Sequence, residues 1–584
     1  MHTLLTKYAQ TLEQGIHLEY PRPQLRRDSY LNLNGPWDFG ISNHFDDEVF
    51  DTTILVPFSP ESVLSGISKT LGINQTAFYR KKVTLPNDFN QGRLLLHFGA
   101  VDQLCWVYIN HQLVCHHVGG FVPFTIDVTP YVTEESFVIA LKVQDTSDTS
   151  YHLNGKQRIE RGGIFYTPQS GIWQTVWLES VPIVYIEDLT IIPNVSKQSF
   201  KVLVKSSESA FLTVKVMTQG ACIKKAETPL NALDIFIENP HLWSPEDPFL
   251  YDLVIEYGTD VVHSYVGMRS FERKADHRGI QRFYLNGQPY FQSGVLDQGY
   301  YSDGLLTPTS DQAMIDDILT MKQLGFNMLR KHIKMEPLRW YYHCDRLGML
   351  VWQDMMSGTE FKNVVFHHVL SIAHIHLSDR FRRLFGRQHP TGRSLYEQDL
   401  MTLIQTLKNV TSICTWVPFN EAWGQFDTKR ICKKVQAMDP TRLVDHVSGW
   451  SDQGVGDYHS RHIYFQKIRF YRRTAKKRIL ALTEFGGYSL PVEGHRFNTD
   501  DIFGYKTFDT VENLEIGLKT LYLEALKKDI DRGLSVLIYT QLSDVEDEIN
   551  GFLTYDRAIL KIHPKLMNEI HEQIQKWFKK ASDV

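Results

Sequence analysis

The sequence predicts three domains: a β jelly roll over residues 1–185, an immunoglobulin-like β-sandwich over 186–275 and a (β/α)8 barrel over 276–584. Two observations lead to this prediction. The first half of the chain holds short strand candidates separated by turn residues, which is typical of β-sandwiches. The second half alternates strand and helix patterns over roughly 300 residues, the size of a (β/α)8 barrel. A chain of 584 residues is also too long for one domain.

The strand candidates of the first half are apolar runs bounded by turn residues such as Asn110-His111 and Gly119-Gly120. Those of the first domain lie at 94–98, 105–109 and 137–143. Those of the second domain lie at 200–205, 212–216 and 251–255. The second segment, at about 90 residues, has the size of an immunoglobulin-like sandwich.

Strand and helix signals alternate from residue 276 onward. Ser310 is a helix N-cap candidate, and Gly325 lies just past the end of that helix and before a strand at 327–330. A doubly wound sheet is the alternative fold, but no glycine-rich phosphate loop follows the first strand. The final helix carries an apolar stripe made of Leu566, Ile570, Ile574 and Phe578. We count eight barrel strands, which end near Gly294, Arg330, Trp352, Glu421, Ser448, Tyr464, Glu484 and Tyr539.

Composition excludes several classes of protein. The net charge of −5, from 62 basic and 67 acidic residues, gives no reason to expect nucleic acid or an anionic membrane as a partner. The sequence contains no apolar run of about 18 residues, so no transmembrane helix is predicted. The first residues do not resemble a signal peptide. The six cysteines lack metal-binding or disulfide spacing. We therefore expect a cytoplasmic protein with reduced thiols.

Two glutamates end apolar runs that have the pattern of buried strands. Glu421 closes the run 416–421, and Glu484 lies within the run 482–487. Burying an unpaired carboxylate is costly, so a packing role alone does not account for this placement. The ends of barrel strands four and seven face the same mouth, which predicts that the two carboxylates meet. Such a pair can cleave a glycosidic bond, whereas the alternative is a pair of structural, salt-bridged carboxylates.

Motifs along nearly the whole chain resemble glycoside hydrolase family 2, which contains β-galactosidases, β-glucuronidases and β-mannosidases. Asn420-Glu421 and Thr483-Glu484-Phe485-Gly486 resemble the ends of its strands four and seven. Further matches, in the expected order, lie at 31–39, 171–178, 267–271, 285–289 and 325–330. The order and extent of these matches make the resemblance specific, whereas the Asn-Glu dipeptide alone is weak.

The resemblance implies a retaining mechanism in which Glu484 is the nucleophile and Glu421 the acid/base. The carboxyl groups of such a pair lie about 5–5.5 Å apart. Arg330 and Tyr464 are the candidate donors that keep Glu484 ionised, and Asn420 is the candidate ligand of the sugar 2-hydroxyl. The full set of candidate substrate-binding residues is Asn420, Arg330, His332, Asp354, His462, Tyr464, Asp297 and Trp423. A structural role remains the alternative for each of them. The resemblance also implies a carbohydrate substrate, and by analogy with the family it leaves a homo-oligomer open. No cofactor is expected; magnesium is an option that no ligand spacing supports.

The sugar is the open part of the prediction. β-Galactosidase-like specificity comes first, with β-mannosidase, β-glucuronidase and β-arabinosidase types as alternatives and a non-catalytic carbohydrate-binding protein as another class. Glucuronidases of the family carry Asn-x-Lys after the nucleophile; here the similar Asn154-Gly155-Lys156 lies in the first domain, on the loop 154–171. A glucuronidase is disfavoured unless that loop reaches the site. Candidates for specificity are Asp297, Tyr300 and Asp303, and Gln541 stands where related barrels often carry tryptophan.

Overall fold

The N-terminal part is a sandwich of two antiparallel sheets. The computed structural model describes residues 4–358, 369–370, 375–470, 477–499 and 501–582. One sheet contains Tyr30–Asn32, Val176–Val181, Arg93–Phe98 and Phe124–Asp127. The other contains Thr52–Val56, Gly35–Ser42, Thr76–Thr84, Ser136–Gln144, Leu104–Ile109 and Gln112–Val118. Both sheets contribute to one core, and the predicted strands at 94–98, 105–109 and 137–143 are confirmed.

A second sandwich follows along the chain. Its three-stranded sheet contains Asp188–Asn194, Ser199–Lys205 and Ala232–Phe236. Its four-stranded sheet contains Ala221–Thr228, Leu212–Thr218, Tyr251–Tyr257 and Asp260–Val266. Side chains such as Val202 and Ile255 alternate inward from the two sheets and share a core, as an immunoglobulin-like sandwich requires. The domain boundaries after residues 185 and 275 stay predictions.

A small sheet leads from the second sandwich into the barrel. Its strands are Phe271–Ala275, Gln281–Leu285 and Gln288–Pro289. Phe283 and Leu285 of this sheet pack in one cluster with Leu296 and Met328 from the first two barrel strands. Two short ladders complete the β structure: Val101–Asp102 pairs with Gly171–Ile172, and Tyr488–Ser489 pairs with Lys506–Thr507.

The C-terminal part is a barrel of eight parallel strands. In chain order they are Gln292–Asp297, Met328–Lys331, Leu350–Asp354, Ile413–Val417, Leu443–Val444, Tyr458–Ile463, Ile479–Gly486 and Leu534–Thr540. Strand one pairs with strand eight, for example Gly294 with Ile538, as in a barrel and unlike a doubly wound fold. The pairing runs in the order 5-4-3-2-1-8-7-6, so the barrel is nearly closed, with its gap between strands five and six. The eight predicted strands are confirmed.

Helices alternate with the barrel strands. Ser310 caps the first one by accepting a hydrogen bond from the Ala313 amide, as predicted, and Gly348 ends the second with a positive φ of 75°. Among the helices that the structure describes, the α-helices include Asp311–Gln323, Leu338–Leu347, Pro390–Leu407, Thr428–Met438, Val511–Lys519, Lys527–Arg532 and Pro564–Ser582, with a π-helix at Thr520–Ala525. The 3-10 helices are Ala9–Gln14, Pro23–Leu25, Val63–Ser65, Thr129–Tyr131, Ser147–Thr149 and Val195–Lys197. Ile570, Ile574 and Phe578 of the last α-helix are buried, which confirms its apolar stripe.

The carboxyl ends of the barrel strands meet at one mouth, where side chains of several strands converge. Strand two ends at Lys331, strand three at Asp354 and strand seven at Gly486. No helix within the described residues combines the length and the apolar character needed to cross a bilayer. The cytoplasmic location and the homo-oligomer stay predictions.

Candidate functional site

Glu421 and Glu484 lie at the barrel mouth on different supports. Glu484 is part of strand seven, whereas Glu421 lies four residues beyond the end of strand four. The amide of Glu421 donates to the carbonyl of Ser448 over 2.8 Å, which fixes this loop to the segment after strand five. Glu421 has φ of +48°, in the left-handed region that a non-glycine residue adopts only at an energetic cost. Backbone strain of this kind is common at functional sites.

His462 joins the two carboxylates. Its Nδ1 lies 2.7 Å from Oε1 of Glu421 and 3.2 Å from Oε2 of Glu484. One donor atom from each of the three residues lies within 4.8 Å of the other two. Glu421 is 8% exposed and Glu484 5%, so both carboxylates face a largely closed space. The two predicted glutamates therefore meet in one site.

Arg330 organises the side of the site that carries Glu484. It is fully buried on strand two, and its Nε and Nη2 each lie 3.0 Å from a different oxygen of Asp354. Its Nη1 donates to Oε1 of Glu484 over 3.1 Å, and its Nη2 donates to Oδ1 of Asn420 over 2.8 Å. One planar guanidinium thus holds three predicted site residues at once, a geometry that lysine does not reproduce.

Two further predicted residues extend this network. Nδ1 of His332 lies 2.7 Å from Oδ2 of Asp354. Burial lowers the pKa of His332 to about 4; Asp354 opposes this shift, and the positive charge of Lys156 adds to it. The hydroxyl of Tyr464 donates to Oε2 of Glu484 over 2.8 Å. Glu484 therefore has both predicted donors, Arg330 and Tyr464, in place.

Opposite charges set the ionisation of the candidate catalytic group, which consists of Glu421, His462 and Glu484. Burial by itself raises the pKa of Glu484, but the positive charges of His462 and Arg330 outweigh it and hold this pKa far below its usual range. Burial by itself lowers the pKa of His462, yet Glu484 and Glu421 together raise it to about 9. At neutral pH, Glu484 is an ionised carboxylate and His462 an imidazolium.

Family models match the chain in three consecutive stretches. The model of the glycosyl hydrolases family 2 sugar binding domain matches residues 38–182, and that of glycosyl hydrolases family 2 matches residues 184–269. The model of the glycosyl hydrolases family 2 TIM barrel domain matches residues 278–480. The chain belongs to glycosyl hydrolase family 2. The predicted family and the predicted order of β-rich and barrel parts are confirmed.

Relatives of this family 2 chain carry different names. A β-galactosidase of Halalkalibacterium halodurans is 24% identical over 405 residues, which is 64% of this chain and 36% of that protein. The chain thus spans about a third of the length of that curated relative. A β-glucuronidase from an uncultured Clostridium species matches 96% of the chain and 100% of its own length, with a TM-score of 0.74 and 18% identity. The GH2 β-galacturonidase of Eisenbergiella tayi bound to glycerol matches 96% of the chain and 98% of its own length, with a TM-score of 0.68 and 17% identity.

The first domain of the family 2 chain reaches over the barrel mouth. The amide of Gly155 donates to the carbonyl of Ser357, in the loop after strand three, over 2.8 Å. Farther along, the hydroxyl of Tyr166 donates to Oε2 of Glu548 over 2.5 Å. The ring of Phe165 stacks on Trp423, with centroids 5.5 Å apart. Residues 154–167, called the bridging segment below, therefore contact the barrel. The sequence analysis had left open whether they do so.

The specificity candidates after strand one are engaged in other contacts. Oδ2 of Asp297 accepts a 2.6 Å bond from Nζ of Lys331. Oδ2 of Asp303 accepts bonds from the amide and the hydroxyl of Thr6. Tyr300 is 4% exposed, and its ring meets Tyr166 edge to face at 4.9 Å. Within the described residues, the ionic partner of Asp297 is thus Lys331 rather than the catalytic group, and its role as a sugar ligand stays a prediction.

The residue after strand eight is Gln541, at a position where related barrels often carry tryptophan. Gln541 is fully buried, and its Oε1 accepts a 2.9 Å bond from Gln298. Its Nε2 donates to Oδ1 of Asn550 over 2.8 Å. The position is therefore filled by a hydrogen-bonded amide that ties strand eight to the loop after strand one.

Three residues near the catalytic group were missed from the sequence. The hydroxyl of Ser448 lies 2.9 Å from Nε2 of His462, and that of Thr540 lies 2.8 Å from the hydroxyl of Tyr464. The ring of Tyr505 stacks on Tyr464 with centroids 3.7 Å apart. Ser448 and Thr540 stand at or next to predicted strand ends, so the strand-end rule was the available signal. Tyr505 lies in a connecting segment with no such signal.

The same catalytic group has the donor set of a metal site. Glu421, His462 and Glu484 offer two carboxylate oxygens and one imidazole nitrogen within 4.8 Å of one another. Imidazole with carboxylate suits zinc and related transition metals, whereas magnesium prefers oxygen ligands throughout. Metal binding here would engage both carboxylates that glycoside cleavage requires.

Proposed function

We propose that the protein is a retaining, exo-acting β-glycosidase that releases the terminal non-reducing sugar of a small glycoside or oligosaccharide. The observation that carries the proposal is the short separation of the two carboxylates: an oxygen of Glu421 lies within 4.8 Å of an oxygen of Glu484. Retaining enzymes have carboxyl groups about 5–5.5 Å apart, whereas inverting enzymes leave room for a water at about 6.5–9.5 Å.

The contacts of each glutamate support different roles. Glu484, ionised between Arg330 and Tyr464, attacks the anomeric carbon and forms a glycosyl ester while the bond to the leaving oxygen breaks. Glu421 gives that oxygen its proton. In the second step, Glu421 takes a proton from water, the water oxygen attacks the anomeric carbon, and Glu484 is released as a carboxylate.

The names of relatives include a β-galactosidase, a β-glucuronidase and a β-galacturonidase. These names agree on a β-linked sugar and differ in the sugar itself. The preference for a galactoside over a mannoside, glucuronide or arabinoside therefore stays a prediction from the sequence.

Two measurements test the mechanism. A panel of 4-nitrophenyl β-glycosides finds a cleaved sugar, and proton NMR then follows the anomer released first. We expect the β-anomer, together with mass-spectrometric labelling of Glu484 by the matching 2-deoxy-2-fluoro glycoside. Release of the α-anomer first contradicts a retaining mechanism. If no glycoside is cleaved and Glu484→Gln changes nothing, the enzyme proposal fails and a carbohydrate-binding role takes its place.

A further inference from the structure

Glu421 occupies a central position of a strained β-turn. The carbonyl of Asn420 accepts a 2.8 Å hydrogen bond from the amide of Trp423, so Glu421 and Ala422 are the two central residues of the turn. The angle φ is +48° at Glu421 and +66° at Ala422. Turns with positive φ at both central residues normally carry asparagine or glycine there. Glutamate and alanine keep this conformation only where surrounding contacts impose it, so those contacts decide where the carboxyl of Glu421 points.

Trp423, which closes this turn, packs against the first domain. It is 4% exposed, and its ring is stacked with that of Phe165, with centroids 5.5 Å apart and an angle of 27° between the planes. The guanidinium carbon of Arg158 lies 3.4 Å from the centre of the Phe165 ring. An indole and a guanidinium therefore both pack on one half-buried ring, and each contact is more favourable than the burial of its apolar area alone.

Phe165 is presented by a part of the bridging segment that is fixed to the barrel. The hydroxyl of Tyr166 donates to Oε2 of Glu548 over 2.5 Å. The amide of Thr167 donates to Oε1 of Glu546 over 2.9 Å. Both carboxylates belong to the loop after strand eight. The two residues that follow Phe165 are thus bonded to buried barrel groups, which makes its ring a firm support rather than the tip of a loose loop.

The barrel holds the same turn through its backbone. The amide of Glu421 donates to the carbonyl of Ser448 over 2.8 Å. Nε of Arg387 donates to the carbonyl of Gly424 over 2.9 Å. These two bonds fix the main chain within the turn and just after it. The stack with Phe165 adds a contact to the side chain that closes the turn, and this contact comes from another domain.

We propose that Phe165 is a positioning residue for the acid/base, acting through Trp423. The proposal rests on the acid/base role of Glu421 proposed above. With the stack in place, the strained turn keeps the carboxyl of Glu421 directed at the leaving oxygen. Without it, the turn relaxes toward ordinary backbone angles and the carboxyl moves away, while Glu484 keeps its own donors. Displacements of about 1 Å are enough to slow a reaction strongly. The first domain would thereby control proton transfer to the leaving group.

Leaving-group selectivity tests this role, because a displaced acid slows only the reactions that need its proton. The substrates are the phenyl and the 2,4-dinitrophenyl β-glycosides of the sugar that wild type cleaves, which differ in whether the phenolate needs protonation to leave. The measured quantity is the ratio of kcat/KM for the dinitrophenyl substrate to kcat/KM for the phenyl substrate. We expect Phe165→Leu to raise this ratio by about 10-fold, part of the effect of losing a general acid. Glu421→Gln gives the full effect for comparison.

Two control variants separate positioning from stability. Phe165→Tyr keeps the ring and should keep the wild-type ratio. Phe45→Leu removes a comparable aromatic contact within the first domain, where Phe45 packs on Trp106 at 4.8 Å and lies 5.0 Å from the ammonium of Lys142. Its Tm should fall about as far as that of Phe165→Leu, and its ratio should not change. If Phe165→Leu does not fold, Phe165→Met takes its place, since methionine fills similar space without a ring.

The possible results distinguish this proposal from the glycosidase function. A raised ratio in Phe165→Leu, together with wild-type ratios in Phe165→Tyr and Phe45→Leu, supports the positioning role. If Glu421→Gln raises the ratio and Phe165→Leu does not, the positioning role is overturned and the glycosidase mechanism stands. Equal losses for both substrates in Phe165→Leu overturn it as well, because they indicate a contact with the substrate or a general loss of structure. If Glu421→Gln leaves the ratio unchanged, the acid/base role fails, and the positioning role fails with it.

Discussion

Nδ1 of His462 lies 2.7 Å from Oε1 of Glu421, so the proposed acid/base has a proton donor in direct contact. The same nitrogen lies 3.2 Å from Oε2 of Glu484. Because the two carboxylates raise the pKa of His462 to about 9, the ring holds its proton at neutral pH. Glycoside cleavage needs a proton on the carboxyl of Glu421. Transfer of the proton from Nδ1 of His462 to Oε1 of Glu421 supplies it.

Replacing His462 should change the pH dependence of activity. In wild type, His462 loses its proton as the pH rises through about 9. His462→Gln removes this proton donor from the contact with Glu421, so the basic limb of the kcat/KM profile should move to lower pH. We expect a loss of about 10- to 100-fold at pH 7, within the range of acid–base contributions.

Profiles of kcat/KM between pH 5 and 10 check this expectation. Ser448→Ala is the matched control, because it removes the hydroxyl 2.9 Å from Nε2 of His462 but keeps the charge of the ring. Its basic limb should stay near that of wild type. If the basic limb of the kcat/KM profile is unchanged in His462→Gln, a group other than His462 determines it.

Stability should depend on the same proton. A histidine whose pKa rises on folding stabilises the folded state fully below its unfolded pKa of about 6.5, and this contribution is lost as the pH rises through the folded pKa of about 9. The difference corresponds to about 3 kcal/mol. Urea unfolding at pH 6 and pH 10 should therefore show a larger loss of stability for wild type than for His462→Gln. Equal losses contradict a protonated His462 in the folded state.

The two glutamates should respond differently to the leaving group. Glu421→Gln removes the acid, so cleavage of an alkyl glycoside should fall by about 10²–10⁴-fold, whereas cleavage of a 2,4-dinitrophenyl glycoside, whose phenolate needs no proton, should fall far less in its first step. Glu484→Gln should abolish both reactions, since no glycosyl ester forms. Burst kinetics and steady-state rates with both substrates distinguish the variants. If Glu484→Gln retained cleavage of the 2,4-dinitrophenyl glycoside and Glu421→Gln abolished both reactions, Glu421 would be the nucleophile and Glu484 the acid/base.

Local sequence signals were sufficient to predict the barrel and the meeting of its two glutamates. Each parallel strand is a short apolar run followed by a turn and a helix, so the strand ends and the meeting of Glu421 with Glu484 follow from counting. The ion pair between Arg330 and Asp354 was not predicted, since the sequence analysis made Arg330 a donor to Glu484 and Asp354 a sugar ligand.

The sequence singled out the loop that begins at Asn154-Gly155-Lys156 but did not show whether it contacts the barrel. Lys156 and Phe165 come from the first domain, about 170 or more positions before the nearest barrel residues that they accompany, and no periodicity connects them. The pairing of Asp297 with Lys331 was missed for a different reason. Asp297 and Lys331 lie side by side at the ends of adjacent strands. Each side chain could point toward the sugar site or toward its neighbour, and the sequence does not decide between these orientations.

Arg330 should be needed for stability as well as for catalysis. Arg330→Met leaves Asp354 and Glu484 without their buried cation, which typically costs about 3–5 kcal/mol. Asp354 keeps His332 and Glu484 keeps Tyr464, so the fold should persist at lower Tm while kcat/KM drops sharply. Thermal unfolding and kinetics of Arg330→Met check this. Arg330→Lys is the control: it should recover part of the Tm but little activity, because one ammonium does not reproduce the contacts of the fork. Wild-type stability in Arg330→Met contradicts the network.

Tyr166 should control how firmly the bridging segment holds the barrel mouth. Tyr166→Phe removes a hydrogen bond to the buried carboxylate of Glu548, which should cost about 1.5–3 kcal/mol and raise KM more than it changes kcat. Tyr20→Phe is the matched control, since Tyr20 donates to buried Glu179 within the N-terminal part of the chain. It should lower Tm in a similar way and leave KM unchanged. Equal KM values in the two variants would mean that the segment contacts the barrel without shaping the sugar site.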